Sequence, residues 1–215
     1  MEQKRTLYKH FFEAAQQCEE SDFAMKFIFK YLGSFDGESP EVLDAARDSA
    51  ISCISSVIKV PKVFQMDHLL DFDVVNNLNG HPSYDLLDIF VNGNLEDYYK
   101  FYGENSDLIS KLDLDHNSNV RKMRLLTLIS LAHGKNEVEY SLIETSLQLR
   151  REDIEVWIIN AIGAELLEGK LDQMNSKLLV RRAIYRNFST SHWQQIYDRL
   201  STWQANIASL LESLE

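Results

Sequence analysis

The chain has 215 residues, 45% apolar and 26% charged, so it suits one large or two modest globular domains. Its 33 acidic against 22 basic residues leave a formal charge of −11, which argues against a general binder of phosphate backbones or of anionic lipid. Two cysteines, Cys18 and Cys53, allow at most one disulfide and exclude a four-thiolate metal centre, and no apolar run approaches the roughly 18 residues of a membrane span. The opening MEQKRTLYKHFFEAAQQ reads as a polar amphipathic segment rather than a signal sequence.

Few glycines and prolines (8 and 3) point to helices. Leu7, Phe11, Ala14, Ala15 and Cys18 share one face of a helix over 4–18. A second helix starts at Ser21 and stops at Gly33. Val42, Ala45, Ala46, Ala50, Ile51, Ile54, Val57 and Ile58 predict one helix over 41–59, closed by Pro61. Brief helices follow in MDHLLDFDVVNNL, then one opened by Pro82 and another in LEDYYKFYGENSDLI. Such helical hairpins stack as degenerate repeats. The aromatic group Tyr98, Tyr99, Phe101 and Tyr102 reads as packing between helices rather than a ligand cage.

The acidity is uneven. Residues 1–120 hold 21 acids and 10 bases, while residues 121–215 hold 12 of each. A division is expected near LDLDHNSN at 112–119, giving a helical-repeat bundle over 1–120, a second unit over 121–188 and a C-terminal helix over 189–215. KMRLLTLISLAHG predicts a helix, Val138 and Tyr140 a short strand, and Leu142, Ile143 and Leu147 a short helix. A longer helix from 151 carries Ile154, Trp157, Ile158, Ala161, Ile162 and Leu166 and is expected to end at Gly169. KLDQMNSKLLVRRAIY then predicts two strands about Asn175–Ser176. This order is that of a winged helix. Its would-be recognition helix carries Glu152, Asp153, Glu155, Glu165 and Glu168, so it would meet nucleic-acid phosphates with like charge. A basic group lies elsewhere: Arg121, Lys122, Arg124, Arg181, Arg182 and Arg186 are the candidate RNA contacts, read first as solvated or internally paired surface.

The closing segment, capped by Ser189 or Ser191, places Trp193, Ile196, Leu200, Trp203, Ile207, Leu210 and Leu214 at alternating spacings of three and four, a heptad seam. Trp193, Ile196 and Leu200 are expected to close the local core. The distal face of Trp203, Ile207, Leu210 and Leu214 is expected to await a partner helix.

No phosphate-binding loop, nucleotide-binding glycine motif, nucleophile elbow or HExxH zinc motif occurs, so no catalytic, cofactor-binding or metal site is assigned and none of the function classes expected is an enzyme. Asp67, His68, Asp71 and Asp73 imitate a metal cluster but read as an acidic helix exterior. Asp113, Asp115 and Asn117 lack the glycine and terminal glutamate of a calcium loop.

The segments KMRLLTLISLA, IEVWIINAI, GKLDQMNSKLLV and HWQQIYDRLSTWQANI, preceded in order by SYDLLDIFVNGNLEDYYKFY and LDLDHNSNV, resemble the PCI-domain family. That family comprises the helical-repeat plus winged-helix subunits of the proteasome lid, the signalosome and eukaryotic translation initiation factor 3, and the resemblance leans to its initiation-factor branch. It implies the C-terminal part of a longer, cytoplasmic, non-catalytic scaffold subunit, without cofactor. Its implied partners are other PCI-domain subunits and, through the assembly, the small ribosomal subunit, with no membrane and little nucleic-acid binding alone. It also implies that the wing strand Lys177, Leu178, Leu179, Val180 and Arg181 is an assembly edge, and that Trp203, Ile207, Leu210 and Leu214 face a helical bundle. A signalosome or proteasome-lid subunit, or one shared between two complexes, fits the same residues.

Overall fold

A computed structural model describes residues 2–17, 21–188 and 190–212. Cys18 and Ser189 lie outside the described residues, as does Leu214.

The first helices are α1 (Glu2–Gln17) and α2 (Ser21–Leu32). They meet through aromatic rings, with Phe11 stacked on Phe27 at 5.0 Å. Arg5 ties α1 to the turn beyond α2: its guanidinium lies 4.2 Å from the Phe35 ring centre and bonds the Ser34 carbonyl at 2.6 Å. The helix expected over 41–59 is instead two, α3 (Pro40–Ala45) and α4 (Arg47–Lys59). The axis breaks at buried Ala46, whose ψ of −2° departs from the helical value while its N–H still closes onto Val42 and Leu43. The break lets α3 lean on α5 (Asp73–Asn76), where Asn77 donates to Asp44 at 2.8 Å.

Helix α6 (Pro82–Val91) has proline in its first turn, where a missing N–H costs nothing. Helix α7 (Leu95–Lys111) opens with a reciprocal capping box between Asn94 and Asp97. Helix α8 (His116–Ala132) is capped by Asp115, which accepts from Ser118 N at 2.8 Å. It starts inside the segment expected to be a loop, and residues 120 and 121 lie within it. One continuous core of buried side chains runs from Ile28 to Leu178, with α8 supplying Met123, Leu126, Leu128 and Ile129. The tyrosine group packs inside: Tyr98 is fully buried and its hydroxyl lies 3.2 Å from His116 Nδ1.

The second part contains β1 (Glu137–Glu139), α9 (Tyr140–Leu147), α10 (Ile154–Gly163), β2 (Leu167–Asp172), β3 (Lys177–Ala183) and α11 (Thr190–Glu212). The three strands form an antiparallel sheet in the order β1-β3-β2. The architecture is therefore mostly helical, with helical hairpins, a winged helix and a long final helix.

Two expectations about the wing need correction. Tyr140 belongs to α9 rather than to a strand, and α10 stops at Gly163 rather than at Gly169. Gly169 lies inside β2, at the irregularity between Glu168 and Gly169 in its pairing with β3. A Cβ there would sit 2.5 Å from the Leu179 carbonyl oxygen. Glu165 and Glu168 thus leave the recognition helix, and Glu168 pairs with Arg182 at 3.1 Å. We predict that Gly169→Val destabilises the chain by about 1–3 kcal/mol, the usual cost of forcing volume into a closed site. Urea unfolding checks this; an unchanged midpoint would show that β2 can move away from β3.

Candidate assembly surfaces

Several positively charged residues assigned to a basic surface are internal. Lys122 is 4% exposed, and its Nζ donates to the carbonyls of Val57 at 3.2 Å, Ile58 at 3.0 Å and Val60 at 2.8 Å. These belong to the end of α4, where carbonyls lack helical partners and the dipole favours a cation. Burial pushes the Lys122 ammonium down to about 7. Arg186 is 8% exposed and does the same for α6: its guanidinium donates to Ile89 O and Phe90 O at 2.9 Å and to Ser130 Oγ at 3.3 Å. Burial pushes it down to about 10. Arg124 donates to Leu147 O at 3.1 Å and lies 5.3 Å from the Trp157 ring centre. Arg121 and Arg181 remain exposed, and Arg182 is held by Glu168. The expected RNA-contact group is therefore not one surface. Lys122 and Arg186 are clips that close helix ends in the first part from elements of the second. Lys122 stands four and seven residues before Leu126 and Ile129, a spacing that could have placed it on the buried side of α8.

The strand expected to be an edge is central. Lys177, Leu178 and Leu179 pair with Glu139, Val138 and Glu137 on one flank and with Asp172, Leu171 and Lys170 on the other. Val180 N bonds the Asn136 carbonyl at 2.8 Å, and Arg181 lies beyond the end of β1. The outer edges belong to β1 and β2. Between them, Lys177 also pairs with Glu137 at 2.9 Å.

Helix α10 directs Ile154, Ile158 and Ala161 inward. Its outward side carries Val156 and Ile159, each more than half exposed, beside Glu152. The side that a DNA-reading winged helix would present to phosphates is thus apolar and acidic.

The chain leaves the sheet through Ile184–Phe188. Asn187 donates to Asn92 Oδ1 at 2.7 Å and Phe188 N donates to Asp67 Oδ2 at 2.9 Å. Helix α11 follows. Contrary to expectation, its first half does not close the core: Trp193 is 64% and Leu200 54% exposed, with Ile196 half-buried. Trp193 rests edge-on against Phe188 at 5.0 Å. The distal face is equally open, with Trp203 63%, Ile207 58% and Leu210 64% exposed. Apart from half-buried Ile196 the described seam is solvent-facing, and an apolar stripe of this length marks a contact surface. We predict that Trp193→Ala costs about 1 kcal/mol or less in a thermal melt, limited to its edge contact with Phe188. A loss of several kcal/mol would place that ring in the core.

Among the described residues no group of three or more His, Cys, Asp or Glu side chains is placed to hold a metal ion. Asp67 serves the Phe188 amide, Asp113 pairs with Lys59, and Asp115 caps α8. Among the described residues no helix is long and apolar enough to cross a membrane.

The family model described as PCI domain matches residues 95–182, from the start of α7 to the end of β3. Residues 95–182 are similar to a PCI domain. A second model, eIF3 subunit M, C-terminal helix, matches residues 186–214 directly after the PCI domain. The chain is 37% identical to eukaryotic translation initiation factor 3 subunit M of Homo sapiens over 213 residues, which is 99% of this chain and 56% of that protein. The Xenopus laevis protein of the same name is 37% identical over 213 residues, with the same coverage. The Danio rerio one is 36% identical over 214 residues, covering 100% of this chain and 56% of its own length. The chain thus spans little more than half the length of these curated relatives.

Proposed function

We propose that this chain acts as a non-catalytic scaffold subunit of eukaryotic translation initiation factor 3, in the cytoplasm, at the start of protein synthesis. The observation that carries the reading is the open heptad seam of α11, which follows a PCI domain in a chain similar to subunit M of that factor. Its partners are other PCI-domain subunits and, through the assembly, the small ribosomal subunit. Trp203, Ile207, Leu210 and Leu214 form the bundle face. The outer edge of β2, six residues against three in β1, is the longer edge for sheet-to-sheet pairing. The helices ahead of α8 serve as the helical stack, the elements from α8 to β3 as the winged helix and α11 as the docking helix. Direct nucleic-acid binding by the chain alone is weak, because its net charge is −11 and its recognition helix α10 presents exposed Val156 and Ile159 and no basic residue.

Affinity isolation of the tagged protein followed by mass spectrometry tests the assignment. Recovery of initiation factor 3 subunits is expected. Recovery of signalosome or proteasome-lid subunits in their place would reassign the chain to another PCI assembly.

A further inference from the structure

The sequence contains two Asn-Gly pairs, Asn79–Gly80 and Asn92–Gly93. In such a pair the glycine nitrogen can turn on the side chain before it. Glycine has no Cβ to shield that nitrogen or to restrict the rotation that brings it round, and asparagine is a thermolabile residue. The fold places the two copies of this dipeptide in opposite situations.

Asn92 ends α6, and its side chain is bonded at both atoms. Its Nδ2 donates to Asp88 Oδ1 at 2.7 Å, and its Oδ1 accepts from Asn187 Nδ2 at 2.7 Å. The Gly93 N–H donates to the Ile89 carbonyl at 3.0 Å, so the nitrogen is committed as well. The site is also closed: a Cβ on Gly93 would lie 3.0 Å from the Ile89 carbonyl oxygen.

Asn79 stands in the turn between α5 and α6, where both it and Gly80 are exposed. Neither the Asn79 side chain nor the Gly80 N–H has a hydrogen-bond partner among the described residues. Gly80 has a φ of +83°, and a Cβ there would meet nothing within 4 Å. The turn itself is anchored at both ends. Leu78 is fully buried, and its carbonyl accepts from His81 N at 2.8 Å. Movement at the tip therefore leaves the core in place.

We propose that Asn79 is a site of spontaneous deamidation through Gly80, and that the fold protects Asn92 from the same reaction. The Gly80 nitrogen gives its proton to solvent and attacks Asn79 Cγ. The new N–Cγ bond closes a five-membered imide. The Cγ–Nδ2 bond breaks, and Nδ2 leaves as ammonia, taking up a proton from solvent. Water then opens the imide at either carbonyl, leaving an aspartyl or isoaspartyl residue at this position. Nothing is oxidised or reduced, and water is the sole co-reactant. Either product adds a negative charge to the acidic first part of the chain. The isoaspartyl form also adds a carbon to the main chain inside the turn that joins Leu78 to His81.

Incubation of the full chain in mildly alkaline buffer, followed by peptide mapping with mass spectrometry, tests this. In the folded chain Asn79 should convert at least about tenfold faster than Asn92, because Asn92 reacts only while its contacts are open. The same chain unfolded in urea removes the contacts and keeps the sequence, so there the two positions should convert at similar rates. That result would assign the difference to the fold. A folded-state rate at Asn79 no higher than at Asn92 would overturn the proposal, as would a difference that persists undiminished in urea. No partner subunit enters the measurement, so it stands or falls apart from the assembly role.

Discussion

A chain carrying Lys122→Met should lose about 2–4 kcal/mol of stability, read as a lower urea midpoint at unchanged slope. Methionine fills much of the same space but donates nothing. The carbonyls of Val57, Ile58 and Val60 would lose their shared donor at the end of α4. Hydrogen bonds from a charged donor contribute about 1.5–3 kcal/mol each, and relief of the buried ammonium's desolvation offsets part of that loss. The effect should also depend on pH with a definite sign. Burial pushes Lys122 from 10.5 down to about 7. Between those values the unfolded chain binds more protons than the folded one, so this group's contribution to stability rises with pH. At and below neutrality both states carry the charge, and the folded state bears its desolvation. The stability gap between wild type and Lys122→Met should therefore widen from about pH 7 to 10. A gap that narrows over that interval would mean that the ammonium, and not burial, dominates at this site.

The second large effect concerns association. Changing Trp203, Ile207 and Leu210 together to glutamine removes the described part of the bundle face, three of its four residues. Each such side chain contributes about 1.5–3 kcal/mol when it is buried, so losing three weakens partner binding on the order of a thousandfold or more. Glutamine is a good helix former and the positions are exposed in the isolated chain. Its thermal melt should therefore move by no more than a surface change does, within about 0.5 kcal/mol. Lys122→Met and the seam variant thus separate cleanly: one unfolds the chain and spares the binding surface, the other spares the fold and removes the surface.

The course of the chain was largely legible before its structure. Apolar spacing, Pro82 and Gly134 mark helix limits by local physics that tertiary packing leaves intact. The turn residues Asn175–Ser176 between KLD and KLLVRR mark β3 in the same way. The expected end of α10 failed because glycine after ELLE stops a helix as well as it permits a close crossing in a strand, and only the Leu179 carbonyl decides between them. The position of β3 within the sheet was not legible, since three residues of β1 carry too little pattern to reveal a second neighbour.

The candidate sites divide along similar lines. For Lys122 and Arg186 the sequence points to solvated or internally paired surface, because charge usually means exposure. Their burial depends on the ends of α4 and α6, some 60 to 100 residues away in sequence. The seam on α11 was legible as a stripe, but not how far it stood open. Trp193 and Leu200 have the residue types of a core, and only the path of the linker after β3 shows that α11 leaves it.

The most direct test of the assembly role is paired affinity isolation of the protein and of its Trp203→Gln, Ile207→Gln, Leu210→Gln variant, with subunits quantified by mass spectrometry beside a thermal melt of each chain. The expected result is recovery of initiation factor 3 subunits with the wild type and their loss with the variant, at nearly equal melting temperatures. A variant that melts like the wild type yet retains the full set of partner subunits would contradict the assignment of α11 as the docking helix.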